Sequence, residues 1–472
     1  MRDVGLSSLA QPRATDANVR LWVARIAGGA LAFAAGTALG HAGEPVLVAL
    51  LAVVGALAVG LAAVHPRWFL LVVLFLLPAY IPDALGSPRF AYFLTAVALA
   101  AVAVHQVTGR ERFQAPRELL AFAALLLAFG IATFFATDRS AAFGETLDLV
   151  SFTAVVALLI VLLDTPAWLR RAAWAVVSGS GLLAVLAILQ QLTGNFSSSY
   201  GGLARVLTDG DAVRSAGPLN PNTFGQVLAT SAVLAFYLAC METRRSGRLL
   251  AGGIAVACTA GVFYSQSRAA LVALAIGALA IGALRGVRLR VLALAATAAV
   301  VLGLIVLPQS LVQRVGALPD IVTTDPVALQ DTALRGRAAE NLAALRMWTD
   351  NPLVGVGPDN FEIRYLGYSA AIGIDPRPQD RSAHNLYLES LAETGVLGAV
   401  AFFSILGLAL TGAWRARKLL EGRDALLGEG LFVALGVFLI TALTLNSAYA
   451  RYQWIFVGLG LAAGRLVRRR AA

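Results

Sequence analysis

The sequence predicts an all-α, polytopic membrane protein with about 12–14 transmembrane helices and one large extramembrane loop that contains helices of its own. Three observations carry this. Of the 472 residues 58% are hydrophobic and only 14% are charged, whereas a soluble domain is near half apolar and a quarter charged. The apolar residues come in runs of the roughly 20 residues that a helix needs to cross a bilayer. The charges stand between those runs in small clusters, and the mean hydropathy is +0.76.

Along the chain the apolar runs fall near 21–40, 45–64, 68–82, 90–108, 118–136, 148–163, 168–191, 222–241, 249–264, 269–286, 290–307, 386–413, 427–446 and 453–467. The third and sixth are short for a crossing, which sets the lower bound on the count. The first run follows a polar tail and has no small-residue cleavage site, so it is expected to stay as a span rather than be removed as a signal peptide.

Orientation follows from the basic residues. With the N-terminus inside, the inner segments collect Arg2, Arg13, Arg67, Arg110, Arg170, Arg171, Arg244, Arg245, Arg285, Arg417, Lys418 and Arg468 to Arg470, as the positive-inside rule requires. Both termini are therefore expected in the cytoplasm. Lys418 is the single lysine, a usage that points to a GC-rich bacterial genome. Two outer segments are longer than turns, 192–221 and 308–385. The chain thus divides into N-terminal transmembrane helices (1–191), transmembrane helices carrying two out-of-place arginines (192–307), a large periplasmic loop (308–385), and C-terminal transmembrane helices (386–472).

Other classes are excluded by the same arithmetic. The net charge of +10 forms no single patch, so no nucleic-acid partner is expected; membrane lipid is. Cys240 and Cys258 lie within apolar runs and read as small buried hydrophobes rather than as a disulfide or a zinc site. Asp209-Gly-Asp211 has the spacing of a metal-binding Asp-x-Asp, but Gly beside Asp is ordinary turn chemistry, and no metal site is expected. No cofactor is expected either. Gly355-Val-Gly357 permits a tight turn and is no nucleotide motif, because no strand precedes it.

The residues with chemistry to offer are few. Of four histidines, His41 is in the first outer turn, and His65 and His105 flank inner loop ends. His384 stands at the end of the large loop, where span 386–413 begins. The bland alternative is an interfacial histidine. At a helix N-terminus, however, the positive end of the dipole favours the neutral ring, which can accept a proton as a general base. Two arginines defy the charge rule: Arg214, just before span 222–241, and Arg268, in the outer turn before span 269–286. Arginine there gains nothing for topology and is costly near hydrocarbon unless paired or wet. Beside a helix N-terminus a guanidinium makes a good diphosphate clamp; the alternative is snorkelling to headgroups.

The motifs then converge. Arg214-x-x-Gly217 with Asn220-Pro-Asn222, Ser267-Arg268-Ala-Ala, Pro352-Leu-Val-Gly355-Val-Gly357, and His384-Asn385 followed by Glu393-Thr-Gly395-Val-Leu-Gly398 resemble the O-antigen ligase and polymerase family, in the family's order, over about residues 200–400. The resemblance implies a membrane-embedded glycosyltransferase with its active site at the periplasmic face. Its donor would be a glycan on undecaprenyl diphosphate, and its acceptor a sugar hydroxyl on lipid A core (ligase) or on a second lipid-linked glycan (polymerase). On that reading His384 deprotonates the acceptor, and Arg214 and Arg268 hold the leaving diphosphate in place of a divalent metal. Arg337, Arg381, Asn385 and Asn222 are further substrate contacts, while Glu389 and Glu393 orient neighbours or cap the helix. A lipid-linked-glycan flippase or exporter is the competing class. It would also want arginines, but not a lone histidine at a span's mouth or so large an outer loop, and it should show internal repeats.

Overall fold

The computed structural model describes residues 60–62, 64–80, 95–97, 99–100, 116–209, 212–288, 290–291, 332–373, 381–445 and 450–471. The chain forms two compact units, Met1–Val72 with Tyr92–Gln114, and Val73–Ala91 with Ala115–Ala472. In the first unit the described residues are short helical pieces, among them the start of α1 (Pro66–Leu76). The expected spans 21–40, 45–64, 90–108 and 290–307 lie wholly or mostly outside the described residues, as does loop segment 308–331.

The second unit carries every candidate site residue named above that is described. Its elements are α2 (Glu118–Phe135), α3 (Arg139–Leu162), α4 (Pro166–Thr193), β1 (Val206–Asp209), β2 (Ala212–Ser215), α5 (Pro221–Met241), α6 (Arg245–Ser265), α7 (Arg268–Leu284), α8 (Thr332–Asp350), α9 (Phe361–Ile372), α10 (Leu386–Leu419), α11 (Gly422–Thr441) and α12 (Arg451–Ala471). Among the described residues, seven helices are long and apolar enough to cross a membrane: α2 to α6, α10, and α11 extended by one 3-10 turn to Thr444. The protein is therefore an all-α polytopic membrane protein. The arginines of α12 keep it out of that set, yet its first two-thirds is buried among the other helices. Trp454 packs on Phe122 of α2 at 5.5 Å, Phe152 of α3 at 6.4 Å and Phe402 of α10 at 5.9 Å between ring centroids. Gly412 of α10 and Gly464 of α12 allow those two helices to touch backbone to backbone.

Local chemistry fixes where helices begin. Asp138 accepts hydrogen bonds from Ser140 N at 2.9 Å and Ala141 N at 3.0 Å, so α3 starts at Arg139 rather than at the apolar run near 148. Asn220 caps α5 through Asn222 N and Thr223 N, with Pro221 at the first helical position, where its missing N–H is no loss. Segment 192–221 holds a departure from the all-helical expectation, a small antiparallel hairpin in which Leu207 pairs with Arg214. The β-branched Val206, Thr208 and Val213 around Asp-Gly were the signal for it.

Helix α10 is broken inside its apolar run. Gly395 has φ 59 and ψ −164, a region essentially confined to glycine. In an unbroken helix Val396 N and Leu397 N would donate to the carbonyls of Ala392 and Glu393. Here the loop after α8 takes those places. Val396 N donates to Pro352 O (2.9 Å) and Leu397 N to Leu353 O (3.3 Å), while Ala392 O and Glu393 O accept from Val356 N and Gly357 N (2.9 Å each). These four backbone groups at the break are thus satisfied by the loop, as a span requires where lipid offers no partners. The approach is so close that a Cβ on Gly355 (φ 71) would run into the Glu393 backbone, and one on Gly395 into that of Leu353. Gly395→Ala is expected to destabilise the protein by about 3 kcal/mol and to lower its melting temperature in detergent. A melting curve matching wild type would show that the break tolerates a side chain.

One end of the bundle is basic and closed. Buried Glu429 of α11 meets Arg285 at 3.0 Å, Arg417 at 3.0 Å and the Tyr237 hydroxyl at 2.8 Å, and Arg468 pairs with Glu118. The opposite end holds the hairpin, the α6–α7 turn and the start of α10.

Candidate functional site

At that opposite end Arg214, on β2, is held by two helices. Its Nε donates to Ser265 O at the end of α6 (3.1 Å), and a terminal nitrogen donates to Asn222 Oδ1 in the first turn of α5 (3.0 Å). The order Asn-Pro-Asn explains itself here: Asn220 caps, Pro221 opens the helix, and Asn222 is left to receive the guanidinium. The α6–α7 turn needs only Gln266, in the left-handed region at φ 50, and Ser267, which caps α7 through Ala270 N. Arg268 is consequently the first residue of α7, three residues from the carbonyl that Arg214 binds. Gly225 lets α5 lie against this turn, since a Cβ there would sit 2.7 Å from Ser265 Oγ and 2.9 Å from Ser267 Cβ. The two arginines that the charge rule left unexplained thus belong to one junction of three helix ends.

The end of α11 connects this junction to the start of α10. Gln226 Nε2 of α5 donates to Phe438 O at 3.2 Å, Tyr387 OH of α10 donates to Leu439 O at 2.7 Å, and Leu386 N donates to Leu445 O at 3.0 Å. Asn385 caps α10, accepting from Tyr387 N and Leu388 N at 3.1 Å each. Next to it His384 has φ 47, a conformation that costs a residue with a Cβ about 1–2 kcal/mol and persists where its surroundings impose it.

The surroundings of His384 are specific. Its Nδ1 lies 3.0 Å from the carbonyl oxygen of Ser382 and 2.9 Å from Oε2 of Glu340. Both neighbours are acceptors, so Nδ1 carries the proton, and Nε2 is the nitrogen with a lone pair in the neutral ring. The other carboxylate oxygen of Glu340 lies 3.0 Å from Arg381 Nε. Glu340 is 1% exposed while His384 is 30% exposed, so the acid is sealed and the ring keeps an outward edge. Arg337 is half-buried one turn before Glu340 on α8.

Residues 253–403 match the family model described as O-antigen ligase. Over these residues, about a third of the chain, the protein is similar to the O-antigen ligases. No curated protein matches it. The matched stretch takes in Arg268, Arg337, Glu340, Arg381, His384, Asn385 and the loop that docks on α10, whereas Arg214, on the hairpin, and Asn222, at the start of α5, precede it and meet its edge at Ser265. The family is one of membrane glycosyltransferases.

The matched stretch is anchored on a second side as well. Asn360 Oδ1 accepts from Asp138 N at 2.7 Å and its Nδ2 donates to Asp138 O at 3.0 Å, and Arg364 donates to Thr137 Oγ1 at 3.0 Å. These bonds tie the loop to the α2–α3 turn. Asp359 in that loop is held above the usual carboxylate range, first by burial and then by the charge of Asp138. Glu393 receives Phe361 N on its side chain at 3.2 Å, which makes it part of the loop's seat.

Of the residues expected from sequence, the structure gathers Arg214, Asn222 and Arg268 at one junction and Arg381, His384, Asn385 and Arg337 around the start of α10 and α8. Asn385 has its side-chain oxygen occupied as a helix cap. Sequence reasoning missed Glu340. The helix dipole was the only influence it set beside His384, and the nearest one is this buried acid. The side chains of Asp209 and Asp211 lie outside the described residues, and among the described residues no group of three or more His, Cys, Asp or Glu could hold a metal ion.

Proposed function

We propose that the protein is an inverting, metal-independent glycosyltransferase that moves a glycan from undecaprenyl diphosphate to a sugar hydroxyl of lipid A core at the periplasmic face. The observation that carries this reading is the ring of His384: strained, fixed through Nδ1 on a buried acid, and left with Nε2 as an available base at the same end of the bundle as the junction of two arginines. Nε2 takes the proton of the acceptor hydroxyl, whose oxygen attacks the anomeric carbon from the face opposite the diphosphate. The bond from that carbon to the phosphate oxygen breaks, and its electron pair leaves on the diphosphate. Arg214 and Arg268 neutralise that charge as it grows, the role a divalent metal plays elsewhere. Arg337 is a further contact for the acidic or sugar parts of the substrates, whereas Arg381 is engaged by Glu340.

The basic end of the bundle, with Arg170, Arg171, Arg244, Arg245 and Arg285, supports a cytoplasmic position for that end and a periplasmic one for His384. The test is an assay of the purified protein in chelator with undecaprenyl-diphosphate glycan, with lipid A core supplied or withheld. Glycan on the core is the expected result. Longer lipid-linked glycan in both tubes would make the enzyme a polymerase, and loss of transfer on adding chelator would overturn the metal-free mechanism.

A further inference from the structure

We propose that Glu340 is the positioning residue of this reaction, holding His384 with Nδ1 protonated and Nε2 directed at the acceptor, and steadying the imidazolium formed when the proton arrives. The inference rests on the reading of His384 as the base. A carboxylate at 1% exposure is costly unless it is paired and hydrogen-bonded. Both partners of Glu340 come from the single stretch 381–384, one on each oxygen. Arg381 offsets the standing charge. His384 is the partner whose charge changes during the reaction.

The platform under the pair is rigid. Ala343, Ala344 and Met347 of α8 pack with Val356, Phe361, Tyr365, Ala383 and Ala392 in one buried cluster. This clamps the helix bearing Glu340 against the residue that precedes His384. The docked loop fixes α10 from the other side. The ring therefore cannot turn without leaving both Ser382 O and Glu340. In the chemical step the hydroxyl proton moves to Nε2 while the Nδ1 proton stays on the ring, facing the carboxylate. Glu340 gains and loses no proton. Its negative charge opposes the positive charge that appears on the imidazole.

The test compares Glu340→Gln, Glu340→Asp and Arg381→Gln in the full-length protein. Glu340→Gln should lower kcat about a hundredfold or more with KM for the lipid-linked donor within roughly twofold of wild type, following the logic of a carboxylate that orients a catalytic histidine. Glu340→Asp keeps the charge and should recover at least about tenfold of that loss. Arg381→Gln opens the same clasp but leaves ring and acid together, and should lose less than about tenfold. In a His384→Ala background Glu340→Gln should add nothing, because residues that act as a unit are not additive. Equal losses in Glu340→Gln and Arg381→Gln, a loss residing in KM, or a full further loss on top of His384→Ala would each make Glu340 a mere fastening and overturn the proposal. A fully active His384→Ala would instead overturn the general-base reading beneath it.

Discussion

His384→Ala is expected to lower transfer by a factor of about a hundred to ten thousand, the usual contribution of a general base, while the protein still inserts and folds. The side chain is 30% exposed and its contacts at Nδ1 are Ser382 O and Glu340, so its loss opens no cavity in the bundle. The backbone is the one complication, because φ is 47 here. Asparagine tolerates that conformation better than alanine, so His384→Asn should match His384→Ala in activity and exceed it in thermal stability. The measurement is single-turnover transfer by each purified variant at saturating donor. Activity within about threefold of wild type in either would remove His384 from the mechanism.

Arg268→Lys keeps the charge and should still cost about a hundredfold to a thousandfold in kcat, comparable to removing one preorganised donor from a developing anion. A lysine ammonium is a point charge, whereas the guanidinium offers a planar fork that matches two phosphate oxygens. The start of α7 adds the positive end of its helix dipole to the same place. Because the diphosphate charge is largest after the anomeric bond has lengthened, the loss should fall on kcat more than on donor KM. Arg214→Lys should behave alike for a second reason. One lysine nitrogen at the end of a flexible stem cannot reproduce the fixed pair of bonds to Ser265 O and Asn222 Oδ1, so the junction itself loosens. Adding magnesium should restore neither variant. Wild-type kcat in Arg268→Lys would show that the residue serves only to hold the end of α7 at the headgroups.

The motif residues differ in how far the sequence alone explains them. Asn220, Asn385 and Asp138 act within three residues of themselves as helix caps, so the order of residues specifies their work directly. Arg214 and Arg268 were conspicuous because membrane topology gave them no reason to be there. Gly355 and Gly395 were visible as glycines in motifs, but not as partners. Their purpose is a mutual backbone contact between a loop and a broken helix, and backbone hydrogen bonds leave no mark on side-chain periodicity. The hairpin carrying Arg214 had a readable turn signal that the surrounding apolar runs overshadowed.

By itself the sequence determined the class of molecule, the helices and most of their boundaries among the described residues, and it marked out three residues by their chemistry. Those properties follow from the solvent, because a bilayer demands long apolar helices and isolates every charge that departs from the rule. Only the tertiary structure decided that Glu340 faces His384. Within Thr332–Asp350 that glutamate reads as one more charge on a mixed polar helix. What distinguishes it is burial, and burial depends on the packing of Ala343, Met347, Phe361 and Ala383 between segments that are distant in the chain.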